Sequence, residues 1–144
     1  MLSNTSKYAV RSMIYLALNS DEKTRIGIKK ISEDLKIPSP FLAKILQVLA
    51  RHKLLISTKG PNGGFILGKD AHQITLYEIV TVIDGSDLFD RCLISLRTCQ
   101  DENIPCAMHD QYEPIRKNIR KLFTETNLGK LISDVNSRDQ FLAL

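Results

Sequence analysis

The chain reads KIPSP over residues 36–40, and that short break imposes a change of direction between two helices. Proline does not fit deep inside a helix, and it biases the residue before it away from helical backbone. Upstream, Ile28, Ile31 and Leu35 recur at helical spacing and predict a short helix over residues 28–35. Downstream, Ser39 is a natural N-cap and Pro40 suits the first helical position, where a missing N–H costs nothing. Leu42, Ile45, Leu46 and Leu49 follow at i, i+3, i+4 and i+7 and give that helix one buried stripe. An earlier amphipathic helix is predicted over 6–19 from Val10, Met13, Ile14 and Ala17. After the third helix comes LLISTKGPNGGFILGK, two β-prone runs over 54–58 and 65–68 joined by Gly60, Pro61, Asn62, Gly63 and Gly64. Helix, short turn, helix, hairpin is the order of a winged helix-turn-helix. The expected fold class is therefore mainly α with a small β-hairpin wing.

Charge is divided unevenly along the chain. Residues 1–69 carry twelve Lys/Arg against four Asp/Glu, net +8, whereas residues 70–144 carry eight against twelve, net −4. Solvated lysines on surface helices are one explanation; a polyanionic partner such as DNA is the other. The helix pattern favours DNA. The outer face of the third helix would show Ser39, Ala43, Lys44, Gln47 and Arg51, small or polar groups able to approach phosphates and base edges in a major groove. Lys59 sits at the base of the wing, and Gly60, Asn62, Gly63 and Gly64 let its backbone come close to a sugar-phosphate chain. As a nucleotide cradle, KGPNGGF lacks both the spacing and the strand-to-helix setting of a phosphate loop. The longest apolar run, MIYLAL over 13–18, is far short of the roughly 20 residues of a membrane-spanning helix, and the N-terminus has no basic region followed by an apolar stretch. A cytoplasmic protein with no membrane association is expected.

The stretches SKYAVRSMIYLAL, ISEDLKIPSPFLAKILQVLARHKLL and STKGPNGGFIL, together with a three-cysteine loop near position 100, resemble the Rrf-type family of bacterial transcription regulators, the family of IscR, NsrR and CymR. The resemblance runs from residue 1 to about residue 135. It implies a homodimer on a two-fold double-stranded DNA operator, with the third helix in the major groove, the wing in the minor groove and a long dimerisation helix behind. Lys59 falls where many members have an arginine, and it supplies the charge without the arginine fork. Ala43 falls where some members have a glutamate, so no relative's operator sequence transfers to this chain. The expected division is a DNA-binding unit over 1–84, a cysteine-bearing sensor loop over 85–107, and a dimerisation helix with its C-terminal segment over 108–144.

Between wing and cysteines, Thr75 and Glu78 form a capping box ahead of an apolar helix face that Gly85 stops. Beyond the cysteines, Tyr112, Ile115, Ile119 and Leu122 recur at spacings of three and four, with Arg116, Lys117, Arg120 and Lys121 between them. Such a seam packs either on its own domain or on a partner chain.

The cysteines carry the remaining chemistry. Cys92, Cys99 and Cys106 are separated by six residues each, so a continuous helix would spread them over roughly 20 Å. One shared site needs a loop, and TCQDENIPC with Pro105 supplies it. An odd cysteine count in a reducing compartment argues against a disulfide framework. Zinc sites usually contain a close pair of cysteines, which is missing. Cys106 and His109 as nucleophile and base lack any accompanying oxyanion loop or acid–base constellation, so no enzyme is expected. Thiolates are the usual iron–sulfur ligands and histidine can replace some of them, so the three cysteines and His109 suit a cluster. Cluster-bearing members of the family place three cysteines in this loop, with shorter gaps. Some members take a fourth ligand from an acidic residue at the position of Lys7, a cation unsuited to ligation; others use a histidine three residues after the third cysteine, which is His109 here. The resemblance therefore implies a 2Fe-2S cluster on Cys92, Cys99, Cys106 and His109, with 4Fe-4S as the other form, controlling a repressor. The rival is a cluster-free repressor governed by thiol oxidation or by a partner.

Overall fold

The computed structural model describes residues 1–96 and 105–135. Helix α1 (Asn4–Asn19) begins where Ser3 Oγ accepts the Ser6 N–H at 3.0 Å, a side-chain cap for an otherwise orphaned donor. Helix α2 (Ile28–Leu35) ends at Lys36, which turns left-handed at φ 55°. The Ile37 N–H then returns to the Ser32 carbonyl at 3.1 Å, while Ser32 Oγ donates to the Ile37 carbonyl at 2.6 Å, so the turn is closed from both sides. Helix α3 (Ser39–Arg51) starts one residue earlier than the spacing predicts. The Pro38 carbonyl already accepts the N–H groups of Phe41 and Leu42 at 3.1 and 2.9 Å, so Pro38 takes the cap position and Ser39 lies inside the helix with no capping bond. Pro40 still falls in the first turn, where its missing donor is harmless.

The wing is the antiparallel pair β1 (Leu55–Thr58) and β2 (Gly64–Leu67), with Leu55 opposite Leu67 and Thr58 opposite Gly64. Both strands sit one residue away from the predicted runs. Leu54 spends its N–H on the Leu49 carbonyl at 3.0 Å, closing α3 as Lys53 turns left-handed at φ 62°. At the other strand, Gly64 adopts φ 147° and presses on the backbone of Ile26, where a Cβ would come within 2.6 Å. Ile26 and Phe65 exchange N–H···O bonds of 3.2 and 2.8 Å there, a third rung on the hairpin.

Helix α4 (Leu76–Asp84) has the capping box the sequence predicts: Thr75 Oγ1 accepts from Glu78 N and Glu78 Oε2 accepts from Thr75 N, both at 3.1 Å. Gly85 ends it at φ 79°. Beyond it lie the single-turn α5 (Asp87–Asp90), α6 (His109–Glu125) and α7 (Leu128–Asp134). The core gathers Met13 and Leu16 of α1, Ile31 of α2, Leu42 and Leu46 of α3, and Ile79 of α4, all fully enclosed. Leu128 of α7 is in the same core. Residues 74–76 and 126–128 pair in antiparallel fashion, Leu76 N–H to Thr126 O and Leu128 N–H to Ile74 O at 2.9 Å each. Helix α7 thus packs against α1 and shares the core of the N-terminal helices.

Helix α6 is rotated in a way its sequence does not reveal. Arg116, only 9% exposed, donates to the Asp90 carbonyl at 3.2 Å, and Arg120 donates to the Asp90 carboxylate at 3.0 Å. Phe89 of α5 lies between Tyr77 of α4 and Phe123 of α6, with ring centroids at 4.7 and 5.4 Å. Arg116, Arg120 and Phe123 therefore face the protein, and the apolar row next to them points outward, with Ile115 55% and Leu122 60% exposed. Among the described residues, no helix is long and apolar enough to cross a membrane.

Candidate nucleic-acid interface and sensor loop

Because Leu42, Ile45, Leu46 and Leu49 turn one stripe of α3 into the core, the opposite stripe presents Pro40, Lys44, Gln47 and Arg51 to solvent. Ser39 is exposed at the start of the helix, and Ala43 is half-buried at the edge of the stripe. On the wing, Lys59, Gly60 and Asn62 are exposed, Gly63 is half-buried, and the Gly63 N–H closes the turn on the Gly60 carbonyl at 2.9 Å. Gly64, also expected at the DNA, is buried against the Ile26 backbone at the closed end of the hairpin. Among the described residues, Lys44, Arg51 and Lys59 make no salt bridge, so their charge is available to an external anion. Two neighbours of this face give no signal in the helix pattern. Phe41 is exposed beside Lys44, and the Tyr15 hydroxyl donates to Asp34 at 2.5 Å, bracing α2 on α1.

The described ends of the cysteine-bearing segment lie after α5 and before α6. Cys92 comes two residues after α5, Cys106 precedes α6 by three, and their Sγ atoms lie 2.7 Å apart. Cys99 lies outside the described residues. The His109 N–H donates to the Cys106 carbonyl at 2.9 Å, so the two residues share one backbone turn, while the His109 Nε2 lies 3.3 Å from Glu113. Among the described residues, no three Cys, His, Asp or Glu side chains gather into one metal-holding group.

Residues 2–134 match the Rrf2 family, described as "Iron-dependent Transcriptional regulator". A protein of Aquifex aeolicus is 33% identical over 134 residues, covering 92% of each chain. The HTH-type transcriptional regulator IscR of Cronobacter sakazakii is 31% identical over 133 residues, 92% of this chain and 80% of that one. The chain belongs to the Rrf2 family. Its fold is also that of CymR, the global cysteine regulator of B. subtilis, at TM-score 0.75 and 23% identity over 92% of this chain and 96% of the other. T. potens IscR matches at TM-score 0.74 and 22% identity over 94% and 88%. The chain is a transcriptional regulator, as its relatives are, and not an enzyme.

Three carboxylates anchor this Rrf2-family fold around the two regions. Burial pushes the Glu78 carboxyl up, but the Lys69 ammonium at 2.7 Å and the Thr75 cap bonds hold it below its ordinary value. The salt bridge fixes the end of the wing to α4. Burial likewise raises Asp84, and the Ser3 hydroxyl and N–H, donating at 2.6 and 3.2 Å, bring it below the usual range. That pair of bonds ties the start of α1 to the end of α4. At the foot of α6, the Lys117 ammonium at 3.0 Å, and after it His109 and Arg116, lower Glu113.

Proposed function

We propose that this Rrf2-family regulator binds a two-fold DNA operator as a homodimer and represses transcription, with its cysteine loop acting as the sensor. The observation that carries the DNA reading is the solvent-facing stripe of Lys44, Gln47 and Arg51 on α3 beside Lys59 of the wing, with no salt bridge among the described residues to neutralise it. In this reading α3 enters a major groove, with Ser39 and Ala43 at its leading edge, and Gly60, Asn62 and Gly63 bring the wing to a minor groove. The exposed Ile115 and Leu122, with half-buried Ile119 between them, support a second copy as the partner of α6.

The sensor reading is an iron–sulfur cluster, 2Fe-2S in preference to 4Fe-4S, held by Cys92, Cys99, Cys106 and His109. The donor chemistry fits in kind: two of the three sulfurs already converge, and soft thiolates with an imidazole are ligands such clusters take. When bound, the cluster supplies a redox- or iron-sensitive change of charge and geometry at the foot of α6. A second reading rests on the same 2.7 Å approach of Cys92 and Cys106. Two thiols and one peroxide would give one disulfide and two waters, a switch that needs no metal. Anaerobic purification with an absorption spectrum and iron and sulfide analysis separates the two. A brown protein that bleaches when Cys92, Cys99 or Cys106 is replaced by Ala, and whose spectrum changes on replacing His109, supports the cluster. A colourless protein that forms the Cys92–Cys106 disulfide reversibly with peroxide supports the thiol switch. An unaltered spectrum in the His109 variant excludes it as a ligand.

A further inference from the structure

Phe41 is the one large apolar side chain that α3 leaves exposed, 38% open to solvent, and it is no part of the buried core. The core stripe of the same helix is complete without it, since Leu42, Ile45, Leu46 and Leu49 fill those positions. Phe41 occupies the first turn of the helix, three residues ahead of Lys44 and so beside it on the surface. Its ring is not loose. Tyr8 of α1 meets it edge to face, with centroids 5.7 Å apart and planes at 85°, which restricts the ring's rotamers before any partner arrives.

We infer that Phe41 is a specificity-determining residue that reads the 5-methyl group of a thymine in the major groove, with Tyr8 as the residue that positions it; this rests on the DNA reading above. The first turn of a recognition helix is the part that reaches base edges, and an aromatic ring has no hydrogen bond to offer there. The one apolar feature that a base pair shows in the major groove is the thymine methyl, and Phe is among the side chains that touch it. The exposed cation beside the ring, Lys44, and Arg51 at the far end of the same helix attract the phosphates that bring it into the groove.

The test uses the full-length wild-type protein and a duplex selected from random sequences by that protein. Each thymine is replaced in turn by deoxyuridine, which exchanges the methyl for hydrogen and leaves base pairing intact. One thymine per half-site should show a loss of about fourfold, the size of one methyl transferred from water, and about fifteenfold when both half-sites are changed. Phe41→Ala should weaken binding to the thymine duplex by a similar factor and erase the uracil penalty at that position, while Phe41→Leu should keep part of both. Absence of any uracil penalty for the wild type overturns the inference without needing a variant. A penalty that survives in Phe41→Ala assigns the methyl to another group, such as Ala43, and also overturns it. Failure to select any duplex would remove the DNA reading itself, and this inference with it.

Discussion

Asp84 shows what one side chain does for the attachment of a whole helix. Its carboxylate receives both the hydroxyl and the N–H of Ser3, and Ser3 in turn caps α1. Its folded pKa is depressed, so the stability it contributes is fully present above the unfolded value of about 3.8 and is lost as the pH falls through the lower folded value. Melting temperature measured downward from neutral pH should therefore drop more steeply below about pH 4 in the wild type than in Asp84→Asn, which carries no titrating group at that position. Parallel curves would show that the bonds to Ser3 contribute nothing in solution. Cys92 and Cys106 show the converse, in that their equal spacing to Cys99 is plain in the sequence while their convergence depends on α5 and α6 being clamped together by Arg116, Arg120 and the Phe89 stack.

At the level of elements, local periodicity and cap chemistry are legible. The stripe of α3, the Thr75–Glu78 box and the Gly85 stop are all where short-range rules put them, and the hairpin differs by one residue because Leu54 is drawn into the end of α3. The rotation of α6 is not legible. Neighbouring rows on a helix differ by about 100°, and both the apolar row and the arginine row repeat at three and four residues. Only the tertiary partners Asp90 and Phe89, distant in sequence, decide which row faces in. The outcome leaves Ile115 and Leu122 exposed, so Ile115→Gln combined with Ile119→Gln should leave the melting temperature of the monomer within a few degrees while shifting sedimentation from dimer to monomer and abolishing operator binding. A dimer that persists would move the interface to another face.

For the molecule as a whole, the basic front half makes association a salt-dependent event. Replacing Lys44 or Lys59 by Ala should weaken operator binding and flatten the plot of log affinity against log salt by about one unit for each phosphate no longer neutralised; unchanged slopes in both variants would move the DNA to another surface. Leu128, far beyond the wing in sequence, is enclosed in the same core as α1, α2 and α3. Leu128→Ala should destabilise the DNA-binding unit itself by about 2–5 kcal/mol, read by denaturant unfolding, although it lies more than seventy residues from the turn between α2 and α3. The pairing of 126–128 with 74–76 has a mechanical side as well. The chain leaves α4 at Gly85, and the end of α6 is fastened beside Thr75 at the opposite end of that helix, so the return of α6 is fixed at the end of α4 away from its departure.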